Sequence, residues 1–88
     1  MTLYQAEDKP RIHRERARNA IALAMAGRWE DAVELNRSIL ETFPEDVDAS
    51  NRLGKALMEL GRFQEARDAF NKALQISPHN SIARKNVD

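Results

Sequence analysis

The chain has 88 residues, with 14 basic and 14 acidic side chains that balance at pH 7, and it contains no cysteine. This length allows one domain with a small core, and the missing cysteine excludes disulfides, thiolate metal sites and cysteine nucleophiles. The balanced charge gives the molecule no overall field that would attract nucleic acid or an anionic membrane.

The N-terminal stretch MTLYQAEDKP has no apolar run long enough for a signal peptide, and no later segment has the apolar length of a membrane span. We therefore expect a cytoplasmic protein with no membrane contact. Residues 1–8 are predicted to form a flexible tail. The first helix is expected to begin near Asp8, because Pro10 is tolerated in a first helical turn.

Residues 13–46 and 47–80 repeat each other at an offset of 34. The identical pairs are Arg18 and Arg52, Ala22 and Ala56, Leu23 and Leu57, Gly27 and Gly61, Arg28 and Arg62, Ala32 and Ala66, Leu40 and Leu74, and Pro44 and Pro78. Recurrence of the same residues at a fixed offset is typical of a repeat architecture.

Each repeat divides into two helices at a glycine, Gly27 in repeat one and Gly61 in repeat two. Apolar residues recur at helical spacing before and after Gly27 and Gly61, and glycine readily takes the left-handed conformation that closes a helix. Pro44 and Pro78 then end each second helix. Asp46 and Asn80 follow as predicted N-caps of the next helix.

The last residues, SIARKNVD, begin the pattern a third time, with Ala83 lying 34 residues after Ala49. The sequence therefore predicts about five helices in a domain over residues 9–88, made of repeat one (13–46), repeat two (47–80) and a partial repeat or capping helix (81–88).

The repeat resembles the tetratricopeptide repeat. Repeat two meets that family's pattern at Leu53, Gly54, Leu57, Gly61, Ala66, Phe70, Ala73 and Pro78. Repeat one departs from it at Asn19, Ala20, Asn36 and Ile39, and we expect Ile39 to fill space that an aromatic would otherwise occupy. Arg28 and Arg62 stand where the family often has a capping aspartate, so Glu30, Asp31 and Glu65 are expected to provide the negative charge there.

The resemblance implies an all-α solenoid whose concave groove is lined by the first helix of each repeat, near residues 9–26, 47–60 and 81–87, and which holds a peptide of a protein partner. Carried over to this sequence, the groove residues are Arg14, Ala17, Ile21, Met25, Asp48, Asn51, Arg52, Lys55, Met58, Glu59 and Lys85. This mixture of polar donors and apolar side chains favours an acidic or amphipathic peptide.

One subfamily grips the terminal carboxylate of chaperone tails through five lysine, arginine or asparagine positions. Those positions read Ala17, Ile21, Arg52, Ile82 and Asn86 in this chain. The carboxylate clamp is therefore absent, and the family resemblance alone does not predict a chaperone partner.

The sequence predicts no enzyme activity, metal or cofactor, because His13 and His79 are isolated and no glycine-rich phosphate loop or nucleophile motif occurs. Two other functions remain open. One is self-association through the C-terminal helix and the second helix of repeat two. The other, less favoured, is nucleic-acid binding through the basic run from Arg11 to Arg18, which is instead expected to be solvated or paired with Glu30, Asp31 and Glu34.

Overall fold

Residues 8–79 are described by a computed structural model. They form four helices: α1 (Asp8–Met25), α2 (Trp29–Thr42), α3 (Val47–Glu59) and α4 (Phe63–Ile76). The described part thus holds four helices where the sequence predicts five for the whole chain, and the predicted fifth helix at 81–87 lies outside the described residues. Asp8, assigned to the tail by the sequence, opens α1, and the rest of that tail also lies outside the described part.

The two tight turns are built as the glycines predict. Gly27 and Gly61 have φ of 72° and 77°, the left-handed region where a side chain would strain the backbone. The amide of the residue after each glycine donates to a carbonyl five residues earlier, Arg28 to Leu23 and Arg62 to Leu57, both at 2.9 Å. These bonds close α1 and α3 and send the chain back along the preceding helix.

The second helices end at the predicted proline turns. The Phe43 amide donates to Ile39 at 2.7 Å and the Ser77 amide donates to Ala73 at 2.8 Å, so both repeats end their second helix with the same bond. Asp46 then caps α3, accepting the Ala49 amide at 3.0 Å, as predicted. The corresponding Asn80 lies outside the described residues.

Consecutive helices pack against one another, and α1 also touches α3. The larger core cluster joins α2, α3 and α4 through Ala32, Val33, Leu53, Ala56, Leu57, Ala66, Ala69, Phe70 and Ala73. A smaller cluster of Ala20, Ile39 and Ala49 joins α1 to α2 and the start of α3. Ile39 is fully buried there, as its predicted space-filling role requires. The small residues let the helices approach closely enough to share one narrow core.

None of the helices between Asp8 and Ile76 has the length and apolar character to cross a membrane. Trp29 is half-buried and packs against the larger core cluster. Its repeat partner Phe63 is 67% exposed at the start of α4. The two ends of the helix stack therefore differ, with an apolar ring open to solvent at the α4 end.

Candidate partner-binding groove

The predicted groove corresponds to the surface where α1 and α3 lie side by side. Each helix pair is antiparallel, so α1 and α3 run in the same direction with their N-terminal ends together. At that end a cavity of about 180 Å³ is lined by His13, Arg14, Ala17, Asp46, Asp48 and Arg52, which we call the polar pocket. The fold thus brings together four of the predicted groove residues: Arg14, Ala17, Asp48 and Arg52.

The other end of the α1 face is apolar. Ile21 and Met25, four residues apart on one side of α1, are 45% and 84% exposed, and Met58 on α3 is half-buried. Two such large apolar side chains in solvent on one helix face are a feature of interaction surfaces. The predicted residues therefore fall into a polar end and an apolar end of the surface formed by α1 and α3.

Lys55 and Glu59 form an ion pair of 3.0 Å on the exposed side of α3. Each is one turn from the other, so the pair contributes little to stability, on the order of 0.3–0.5 kcal/mol. A partner could therefore displace either group at small cost.

Asn51 is more deeply buried than its predicted place in the groove requires. Asn51 is only 7% exposed and its Oδ1 atom has no hydrogen-bond partner within the described residues. It is therefore less accessible to a peptide than the groove prediction requires, because helix periodicity places a residue on a face without revealing which neighbours cover it. Lys85 lies outside the described residues.

Arg52 is held in place by a polar contact between the two repeats. Its Nε atom donates to Asn36 Oδ1 at 3.0 Å, and Asn36 Nδ2 donates to the Ala32 carbonyl at 2.9 Å. Because Asn36 is buried, its hydrogen bond fixes the position of the Arg52 guanidinium between α2 and α3. The Nη2 atom of Arg52 is buried and has no hydrogen-bond partner among residues 8–79, while the residue also lines the polar pocket.

The sequence missed a contact at the same pocket. His13 Nε2 lies 2.6 Å from Asp46 Oδ2, and the His13 ring stacks on Phe43 with centroids 3.7 Å apart and an 8° angle between planes. His13 is therefore not isolated. The available signal was its place: His13 opens repeat one and Asp46 closes it, and the helix that Asp46 caps packs beside the helix that carries His13.

Asp46 stays ionised because of these contacts. Burial alone would raise the pKa of its carboxyl group, but the hydrogen bond from the Ala49 amide, the His13 contact and the charge of Arg52 together lower the pKa below 3.8. The carboxylate thus caps α3 and orients His13 at neutral pH.

The basic run of α1 is partly engaged within the molecule. Arg11 pairs with Asp8 and Glu15, each at 3.4 Å, and Arg16 donates to Ser38 and, at 3.4 Å, to Thr42. Arg14 and Arg18 are exposed, in line with the solvated alternative. The alternative pairing with Glu30, Asp31 and Glu34 does not form among residues 8–79, where Glu30 and Asp31 face Arg62 and Arg28 instead. Near neighbours along the helix reach Arg11 first, since residues three and four apart share one face.

Between residues 8 and 79, no three histidine or acidic side chains come together in a way that could hold a metal ion.

Comparison with known proteins gives a consistent result. The family model described as tetratricopeptide repeat matches residues 15–81. The small glutamine-rich tetratricopeptide repeat-containing protein 2 of Mycosarcoma maydis is 31% identical over 68 residues, which cover 77% of this chain and 19% of that protein. Sperm-associated antigen 1 of Mus musculus is 35% identical over 60 residues, covering 68% of this chain and 7% of that protein.

A solved structure of a MamA mutant shares the fold with a TM-score of 0.79 and 28% sequence identity, covering 92% of this chain and 44% of that one. The chain spans less than a fifth of the length of the curated relatives it matches. What the likeness covers is therefore the helical repeat and not the remainder of those proteins.

Proposed function

The chain belongs to the tetratricopeptide repeat family, whose members generally mediate protein–protein interactions, and from this we propose that it is a non-catalytic module holding a peptide of a protein partner in the groove between α1 and α3. The observation that carries the proposal is the division of one face into a polar pocket and an apolar end. Such a surface matches an amphipathic peptide in one orientation.

The polar pocket suits a carboxylate. Arg14 is exposed and forms no ion pair between residues 8 and 79, and the half-buried Arg52 lines the same pocket. Asp46 is already engaged by His13 and Ala49, which leaves Asp48 as the opposing charge at the pocket. Two guanidinium groups offer the planar donor geometry that a carboxylate accepts.

The spacing of the two ends sets the length of the peptide. Arg14 and Met25 are eleven residues apart on α1, which is about 16 Å along the helix axis. An extended peptide covers that distance in about five residues. The proposed ligand therefore carries an acidic residue about five positions from a large apolar one.

The proposal is tested by titrating ¹⁵N-labelled protein with a seven-residue peptide that has Glu at one end and Leu five positions away. We expect amide shifts along α1 and α3, and Arg14→Ala and Met25→Ala should each weaken binding by roughly fivefold or more. Arg67→Ala is the matched control, since Arg67 is an exposed arginine on α4. Shifts confined to α2 and α4 would contradict the groove assignment.

A second candidate function is self-association through the α4 end of the stack, and the exposed Phe63 ring favours it. Sedimentation over a hundredfold range of concentration tests this candidate directly. A dimer that dissociates in the Phe63→Gln variant supports it, whereas a monomer at every concentration excludes it.

A further inference from the structure

A second concave surface lies at the turn between α2 and α3. Residues 42–48 and His13 line an open depression of about 680 Å³, which we call the turn pocket. It shares His13, Asp46 and Asp48 with the polar pocket, but its remaining walls come from the turn itself. Asp48 is a predicted groove residue, but the proposed groove peptide does not account for the walls that Phe43, Pro44, Glu45 and Val47 form.

The walls of the turn pocket are apolar and well supported. Phe43 is stacked by His13, and Pro44 and Val47 line the cavity beside it. The Asp46 amide donates to the Phe43 carbonyl at 3.1 Å, and the Asp46 side chain is bound to both His13 and Ala49. The turn is therefore held at both ends, so a ligand would meet a largely pre-formed surface.

The rim of the turn pocket is negatively charged. Glu45 and Asp48 are exposed and form no ion pair within the described residues, and Asp46 carries a third carboxylate. Two positive groups lie near these carboxylates. One is the ammonium group of Lys9 near Phe43, and the other is the N-terminus of α3, whose helix dipole is equivalent to about half a positive charge. Asp46 is already engaged by His13, the Ala49 amide and the charge of Arg52. Glu45 and Asp48 are therefore the carboxylates left without an ion pair at the rim among the described residues, and they favour a cation.

The molecule already brings one ammonium group to this site. Lys9 Nζ lies 5.8 Å from the centroid of the Phe43 ring, within the range of a cation–π contact. An aromatic ring bordered by carboxylates attracts cations through both its face and its rim. The position of Lys9 therefore indicates the chemistry that the turn pocket accepts.

The turn after α4 shows that folding does not require these residues. The residues that correspond to Phe43, Pro44 and Glu45 at the offset of 34 are Ser77, Pro78 and His79. The backbone hydrogen bond that ends the helix is the same in both turns, from the amide of Phe43 or Ser77 to the carbonyl four residues earlier. Only the proline is kept between the two turns. The aromatic ring and the acid are therefore additions to a turn that forms without them.

We propose that the turn pocket binds a lysine or arginine side chain of a protein partner, with its aliphatic stem on Phe43 and Pro44 and its charged head at Glu45 and Asp48. Long basic side chains combine these two characters, since their stems are apolar and their heads are charged. The proposal does not depend on peptide binding in the groove, because its ligand has the opposite charge and contacts Phe43, Pro44 and Glu45, which lie outside the polar pocket, although Asp48 borders both pockets.

The probe is an acetylated, amidated pentapeptide with a central arginine between leucines, compared with the same peptide carrying neutral citrulline. With ¹⁵N-labelled protein we expect saturable amide shifts over residues 42–48 for the arginine peptide and at least fivefold weaker binding of the citrulline peptide. Equal binding of both peptides, or shifts elsewhere, would overturn the proposal.

Matched variants separate the charge from the fold. Glu45→Gln with Asp48→Asn should weaken binding of the arginine peptide at least fivefold, whereas Glu34→Gln with Asp68→Asn removes two exposed acids outside the pocket and should leave it unchanged. Lys9→Met removes the competing ammonium and should tighten binding about two- to fivefold. Unchanged or weaker binding by the Lys9 variant would contradict the assigned chemistry.

Discussion

Repeat one and repeat two build the same helix pair with different side chains. In repeat two, Gly54 faces the buried Phe70 ring so closely that a Cβ atom on residue 54 would lie 2.6 Å from Phe70 Cζ. In repeat one the corresponding residues are Ala20 and Asn36, and the buried bulk comes from Ile39, one turn further along α2. The backbone thus tolerates moving its core volume by one turn.

This exchange has a consequence for the groove. Because Asn36 does not have to fill the core as Phe70 does, its amide is available to hold Arg52 of the next repeat. The residue that departs from the family pattern is therefore the one that anchors a groove side chain. Repeat two, by contrast, is packed around an aromatic ring in the manner usual for the family.

The largest effect should come from Phe70→Ala. The ring is fully buried at the centre of the larger core cluster, so its removal should cost about 3–5 kcal/mol of unfolding free energy. Urea denaturation followed by circular dichroism measures it. Ile39→Val, which trims the corresponding bulk in repeat one, should cost only about 0.5–1.5 kcal/mol. If Phe70→Ala lowered the free energy of unfolding by less than the range given for Ile39→Val, the two repeats would not be packed as described.

Asn36→Ala should have the next largest effect. It should lower the free energy of unfolding by about 1–3 kcal/mol, because it leaves the part-buried Nε atom of Arg52 without its acceptor. The same variant should weaken groove binding, since Arg52 loses its orientation. Asn36→Asp keeps an acceptor for Arg52 and serves as the control for orientation. If Asn36→Ala lowers stability but leaves peptide affinity unchanged, Arg52 does not contact the ligand.

Gly54→Ala and Ala20→Gly test the close approach of the helices. In Gly54→Ala, overpacking against Phe70 should lower the free energy of unfolding by about 1–3 kcal/mol. The better helix propensity of alanine offsets about 1 kcal/mol of this, so the net loss of stability should be about 1 kcal/mol. Ala20→Gly should lose at least about 1 kcal/mol, because it lowers helix propensity and also removes a methyl group that is fully buried in the smaller core cluster. Thermal melts compare the two, and a Gly54→Ala variant more stable than the wild type would mean that the Phe70 ring moves freely.

The smallest effect is the response to acid at the contacts between the repeats. Hydrogen bonds from Arg62 and then Arg37 lower the pKa of Glu65 from 4.5 to about 2, and the pKa of Asp46 is also lowered. Lowered pKa values mean that both carboxylates stabilise the fold above pH 4–5. That contribution is lost as the pH falls from about 4.5 towards 2.

Melting temperatures measured from pH 7 to pH 2 test this acid response. Asp46→Asn should flatten the curve more than Glu65→Gln, because the Glu65 pairs are exposed and screened by solvent. A wild-type melting temperature that stays constant down to pH 2 would contradict the assigned contacts.

Much of the fold could be predicted because its signals are local. The offset of 34 gives the repeats, glycine gives the left-handed closures at Gly27 and Gly61, and an aspartate after proline gives the cap of α3. Each depends on helix periodicity or on the backbone freedom of one residue, which the sequence states directly. The assignment of Arg14 and Met25 to the groove face of α1 comes from the family resemblance, and both side chains are exposed.

The rest depended on contacts between distant residues. The sequence could not show that Asn36 binds Arg52, that Asn51 is buried, or that His13 lies against Asp46 and Phe43. Helical spacing fixes the direction of a side chain but not the distance to the neighbouring helix, which is set by the volumes of all the side chains between them. The sequence by itself therefore determined the order of the helices and the faces they present, while the packing of those helices decided which polar groups meet and which remain free for a partner.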